Sequence, residues 1–245
     1  MNNLLKMERY QIFHNQFYWG GALIVFCMGF FTADTYLMEV MGPDGGAAAS
    51  LADIFNGMVY DSTILLVFIS SILSLILGQE FSWRTIDLEI SAGHSRESIF
   101  ASKIIVYLIA FNSMTLVYPI AGCLRELGRF GITDVGSFFY NVIKASLYSL
   151  LLNSAVLLIA ILVCYWLKSC VKAVAVSAIC IFALSLYLGY GMMLKFPVSF
   201  LPIFQIREVV RKTSLFQPDA ILSGVIWGTI LIALSWNAFR KCELK

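Results

Sequence analysis

Six stretches of the chain contain no Asp, Glu, Lys, Arg or His: Gln16–Ala33, Ser62–Gln79, Ile104–Leu124, Ala145–Leu167, Ala173–Leu194 and Ala220–Phe239. Each has the length, about 17–25 residues, that an α-helix needs to cross the hydrocarbon of a bilayer. A soluble core helix this long would keep a polar face, and these keep none. The pattern predicts an all-α integral membrane protein, six transmembrane helices in a single domain spanning residues 1–245. The first apolar run is read as a span and not as a signal peptide, because no small-residue cleavage site closes it.

The connections differ in character. Glu39–Asp61 is rich in Gly and Ala (Gly42-Pro43-Asp44-Gly45-Gly46) and reads as a flexible loop leading to a short helix. Arg125–Lys144 reads as a shorter polar connection. Lys195–Asp219 mixes Phe196, Phe200, Leu201, Ile203 and Phe204 with Pro197, Pro202 and Pro218. That mixture predicts short re-entrant helices lying in or dipping into the outer interface, an ordinary surface loop being the alternative. Pro119 predicts a kink in the third span, and Gly224-x-x-x-Gly228 predicts close packing of the last.

Between the second and third spans lies Glu80–Lys103, a charged and amphipathic segment. It reads as a short helix over Glu80–Ser91, broken at Gly93. Ser95 then caps a new helix that runs on into the third span, with Glu97 in its first turn to complement the helix dipole. Phe81, Trp83, Ile86 and Ile90 form an apolar face. Arg84, Asp87 and Glu89 are expected to face water or a partner.

Composition agrees with the membrane reading: 60% of the 245 residues are hydrophobic and 13% charged, against about 25% charged in soluble domains. A net charge of +2 gives no reason to expect a nucleic-acid partner. Ten basic residues (Lys6, Arg9, Arg84, Arg96, Lys103, Lys168, Lys172, Arg240, Lys241 and Lys245) fall on the side of the termini, and seven (Arg125, Arg129, Lys144, Lys195, Arg207, Arg211 and Lys212) on the other. The positive-inside rule then places both termini in the cytoplasm of a multi-pass cell-membrane protein.

Candidate chemistry is sparse. Cys27, Cys123, Cys164, Cys170, Cys180 and Cys242 form no CxxC pair, so neither a disulfide framework nor a metal site is expected. His14 and His94 both lie outside the spans, which disfavours an intramembrane metalloprotease. No G-x-x-x-x-G-K-[ST] occurs, and no catalytic residue is assigned. Asn112, Asn153, Ser70 and Ser74 lie within spans as either path-lining or packing groups. The spans lack mid-depth charges, which disfavours a stand-alone secondary carrier.

The pattern Glu-Phe-x-x-x-Thr…Ser-x-Gly-x-Ser-Arg-x-x-Ile…Lys, carried by Glu80, Phe81, Thr85, Ser91, Gly93, Ser95, Arg96, Ile99 and Lys103, resembles the permease subunit of type-2 ABC exporters. The topology resembles that family over the whole chain. Many members carry Gly before the Thr, where this chain has Arg84. The resemblance implies that Glu80–Ser91 is a cytoplasmic coupling helix. Glu80, Arg84, Thr85, Asp87, Glu89, Ser91, Gly93, Ser95 and Arg96 would then be ATPase-coupling residues. It also implies two copies of a separate ABC ATPase that carry the ATP and Mg²⁺, no cofactor in this chain, and a second permease, identical or homologous, within membrane lipid. The function implied is export of an amphiphilic substrate, with the permeases for antimicrobial peptides, lantibiotics or bacitracin-like compounds the most similar. A permease for lipids or small drugs, or a stand-alone carrier, is the alternative.

Overall fold

The computed structural model describes residues 2–42, 45–132, 135–212 and 214–241. Pro43, Asp44, Cys242 and Lys245 lie outside the described residues. The protein is an all-α integral membrane protein with six helices long and apolar enough to cross a bilayer.

The element order is α1 (Asn2–Phe13), α2 (Gln16–Thr32), a 3-10 turn (Ala33–Leu37), α3 (Leu51–Tyr60), α4 (Thr63–Ser82), α5 (Thr85–Ser91), α6 (Arg96–Phe130), α7 (Val135–Leu167), α8 (Cys170–Leu194), α9 (Pro202–Arg211) and α10 (Pro218–Arg240). The spans are α2, α4, α6, α7, α8 and α10. α4, α6 and α7 form the centre, with 61% of their most apolar windows buried, against 22–28% for α2, α8 and α10. α4 packs on α8 and α7, α7 on α10, and α2 on α6. α1 and α5 cover one end of the bundle, where Arg96 Nη1 also donates to the carbonyl of Arg240. α3 and α9 cover the opposite end.

Local signals account for several boundaries. Asn15 caps α2 by accepting from the amide of Phe17. Ser50 and Asp53 form a reciprocal capping box that starts α3. α6 runs on through Pro119. Gly224 lies against α7, where a Cβ would come within 2.7 Å of Leu151 Cγ, whereas one at Gly228 would meet open space. Only the first glycine of that pair is therefore a packing contact.

One expectation is corrected. Arg125–Lys144 is not a polar connection, because α6 and α7 continue to Phe130 and from Val135 and are 35 and 33 residues long. At 1.5 Å per residue each reaches about 50 Å, beyond a hydrocarbon core of about 30 Å. Their polar turns stay helical because their charges find partners. Arg125 pairs with Asp34, Glu126 lies near Arg125 and Arg129, and Lys144 donates to the carbonyl of Lys212. In Lys195–Asp219, one short helix forms among the described residues, α9. Its face of Ile203, Ile206, Val209 and Val210 is buried against protein, on α7, α3 and α10.

α2 meets α6 most closely at Gly29, where a Cβ would collide with the backbone oxygen of Tyr118. Gly20, on the same helix, faces open space. Gly29→Ala is expected to destabilise the chain by about 1–3 kcal/mol, the usual cost of overpacking, and Gly20→Ala to leave it unchanged. Thermal unfolding of the two detergent-solubilised variants checks this.

Candidate functional site

Four elements converge at the α5 end. α4 stops at Ser82. The chain then turns at Trp83 and at Arg84, whose φ of 55° is left-handed, a conformation found in only a few per cent of non-glycine residues. The Thr85 hydroxyl donates to the carbonyl of Glu80 across this turn. α5 follows for seven residues. Gly93, at φ 89°, turns the chain out of it, a backbone angle that favours glycine. Ser95 accepts from the amide of Ser98 to start α6. The capping expected at Gly93 and Ser95 is therefore present.

α5 has two faces. Ile86 and Glu89 point inward and are buried. Arg84, Leu88, Ser91 and His94 are exposed, and Asp87 is half-buried. Beneath the inner face lies Lys103, on the second turn of α6 and 1% exposed. Its ammonium lies 2.7 Å from Glu8 Oε1, 2.7 Å from Glu80 Oε2 and 3.1 Å from Glu89 Oε1. Tyr107, one turn further along α6, donates to Glu80 Oε1 at 2.6 Å. Phe81, Phe100, Tyr165 and Phe239 close the adjoining space, with ring centroids 5.1–5.8 Å apart. One ammonium thus joins α1, α4, α5 and α6.

Each buried ion costs several kcal/mol of lost hydration. The ammonium donates to Glu8 and Glu89 and lies within ion-pair distance of Glu80. Three carboxylates against one ammonium still leave an excess of negative charge. Burial pushes the Glu8 carboxyl up to about 8, with nearby Lys103 opposing the shift. Burial raises Glu89 as well, again against the pull of Lys103. Burial thus favours the protonated forms of Glu8 and Glu89, and the Lys103 ammonium opposes it.

The residues singled out from the sequence divide into two sets. Glu80 and Glu89 come together in the buried cluster. This corrects two expectations: Glu80 ends α4 instead of starting the short helix, and Glu89 faces the bundle instead of water. Both carboxylates lie against the buried Lys103 ammonium. Arg84, Ser91, Gly93 and Ser95 are exposed, while Thr85, Asp87 and Arg96 are partly covered. The sequence does not single out Glu8 or Tyr107, and Lys103, a motif residue at the end of the charged segment, proves to be buried within α6. One signal was readable: Leu4, Glu8 and Ile12 recur every four residues and share the buried stripe of α1.

The in-span polar residues hydrogen-bond within and between helices. Asn112 Nδ2 donates to Ser154 Oγ at 2.9 Å and Asn153 Nδ2 to Ser149 Oγ at 2.7 Å. Ser70 donates to the carbonyl of Val67, and Ser74 to Ser177 Oγ at 2.8 Å across α4 and α8. Among the described residues no group of His, Cys, Asp or Glu side chains could hold a metal ion. At the opposite end, a cavity of about 590 Å³ is lined by Tyr36, Tyr60, Tyr118, Asp61 and Arg207, with Arg207 Nη2 3.5 Å from Asp61 Oδ1.

No protein-family model matches the chain, and no curated protein matches it.

Glu8 holds its proton more tightly in the folded chain than in the unfolded one. Its contribution to stability is complete below the ordinary carboxyl value of 4.5, declines as pH rises, and is lost above about 8. The unfolding temperature in detergent is expected to fall between about pH 5 and about pH 9, and Glu8→Gln to flatten that fall. Parallel thermal scans of parent and variant across this range check it.

Proposed function

We propose that this multi-pass membrane protein is the permease subunit of an ATP-driven exporter, with α5 as the helix on which a separate ATPase acts. The observation that carries the reading is the form of α5. It is a short helix outside the spans, anchored from beneath through Glu89 and Lys103, with Arg84, Leu88 and Ser91 turned outward. Trp83 and Leu88, 66% and 65% exposed, add apolar area beside the charge of Arg84 and Asp87. A helix fixed in this way passes a push from a partner directly to α4 and α6. The resemblance of Glu80–Lys103 to the coupling segment of type-2 ABC permeases supports the same conclusion.

In this reading both termini are cytoplasmic, ATP and Mg²⁺ are held by two copies of the partner ATPase, and a second permease completes the path. The substrate would be amphiphilic, an antimicrobial peptide being one candidate and a lipid or small drug the others. One observation favours a stand-alone carrier instead, since buried carboxylates in membrane proteins often serve proton coupling. Against it, Glu80 and Lys103 lie near the ends of α4 and α6 and not at mid-span.

A separate ATPase is expected to co-purify with the chain in mild detergent, and the chain alone to hydrolyse no ATP. Asp87→Lys with Leu88→Asp is expected to weaken that association about tenfold or more, because mismatched charge and lost apolar contact at a docking surface cost several kcal/mol. Its unfolding temperature should stay within a few degrees of the parent, because neither side chain belongs to the buried cluster. Glu89 is left intact for the opposite reason. Absence of any co-purifying ATPase, with efflux that collapses under a protonophore, would transfer the reading to a carrier.

A further inference from the structure

At the end of the bundle that carries α5, the last turns of α7 and α10 enclose a cavity of about 600 Å³. Small-ligand sites span about 300–1,000 Å³. Helical spacing explains how the two helices shape it. On α10, Leu234, Asn237 and Lys241 recur every three or four residues and share one face. Ser235 and Phe239 are buried on another face of the same helix. On α7, Leu162 and Trp166 lie one turn apart, and Lys168 follows in the turn that ends the helix, at a left-handed φ of 49°. Each wall therefore runs from an apolar side chain at depth to an ammonium at the rim. At 1.5 Å per residue, Leu234 and Lys241 are about 10 Å apart along the axis of α10.

The charge of this groove has one sign. Lys168 and Lys241 are exposed, and neither ammonium has an ion-pair partner among the described residues. No Asp or Glu is among the described residues that line the cavity. Leu234 is exposed and Leu162 half-buried, so apolar surface is open below the two cations. Trp166, 75% exposed, stands between the apolar and the charged level, the position that Trp favours at a membrane interface. A soluble anion would satisfy the ammonium groups and leave the leucine walls uncovered. A zwitterionic lipid would cover the leucines and bring a cation of its own beside the two lysines. A lipid with net negative charge meets both requirements, and basic pockets between spans near the membrane surface suit such head groups.

We propose that the groove between α7 and α10 is a binding site for an anionic phospholipid, with its phosphate between the ammonium groups of Lys168 and Lys241, beside Asn237, and an acyl chain over Leu162 and Leu234. The flexible lysine stems let two point charges close on one phosphate diester. The site stands on this chain alone and needs no ATPase, so its outcome is independent of the exporter reading.

The test uses the purified full chain in phosphatidylcholine vesicles that contain phosphatidylglycerol as the minority lipid. Bromine on the acyl chains of one lipid or the other quenches tryptophan on contact, and the quenching that Trp166→Phe removes reports the groove. Brominated phosphatidylglycerol is expected to quench this signal at a mole fraction about tenfold lower than brominated phosphatidylcholine needs, since each Lys near an anionic lipid is worth about fivefold. Lys168→Gln with Lys241→Gln should abolish the preference, and Lys168→Arg with Lys241→Arg should keep it. Lys172→Gln, exposed at the same end but outside the groove, should leave it unchanged, which separates a site from general surface charge. Unfolding temperatures of all variants should match the parent, because these side chains are exposed. Glycerol phosphate in solution should not displace the lipid. Equal quenching by the two lipids, full preference in the double Gln variant, or an equal loss in the Lys172 variant would overturn the proposal. Displacement by glycerol phosphate would also overturn it, in favour of a soluble anion.

Discussion

The ammonium of Lys103 is the constraint on which the end of the bundle depends. Buried at 1% exposure, it must be neutralised by groups from the elements around it, and the three carboxylates that do so belong to α1, α4 and α5. Removing one member of such a cluster leaves the others buried and unpaired, which typically costs about 3–5 kcal/mol. The cluster therefore selects one arrangement of these helices over others in which the carboxylates would be hydrated. The turn at Arg84, the break at Gly93 and the cap at Ser95 set the path of the chain. The ion pairs set where α5 rests.

Apolar packing supplies the rest. α4, α6 and α7 are the most buried spans, and hydrogen bonds of serine and asparagine join α4 to α8 and α6 to α7. Such bonds average about 0.6 kcal/mol in membranes, so they fix rotation more than they provide stability. At the opposite end, α9 lies over α7 and α3 and places Arg207 and Arg211 against the Tyr60 ring, at 4.8 and 5.1 Å from its centroid. The two ends thus differ. One is tied by a buried ion cluster, the other by guanidinium groups at a partly exposed surface.

How much of this was legible follows from what each feature depends on. The six spans were readable because a missing charge over about twenty residues has no other physical account in a chain this apolar. Gly93 and Ser95 were readable because turns and caps are local chemistry. The ends of α6 and α7 were not, because the partners of the charges past Leu124 and before Ala145 lie on distant segments, Asp34 for Arg125 and the carbonyl of Lys212 for Lys144. The cluster was hidden for the same reason. Glu8 and Lys103 are 95 residues apart, and nothing near Glu89 distinguishes a carboxylate aimed at water from one aimed at a buried ammonium. The spacing of Leu4, Glu8 and Ile12 was the one readable trace, a charge on an otherwise apolar stripe.

The central claim is that one buried ammonium holds α1 and α5 to the spans as a unit. Hydrogen–deuterium exchange of the detergent-solubilised chain, parent against Lys103→Met, tests it most directly, because exchange reports the opening of individual segments. The account predicts that backbone amides of α1 and α5 lose protection together in the variant, while those in the middle of α7 and α10 keep it. Unchanged protection of α5, or its loss with α1 still fully protected, would contradict it.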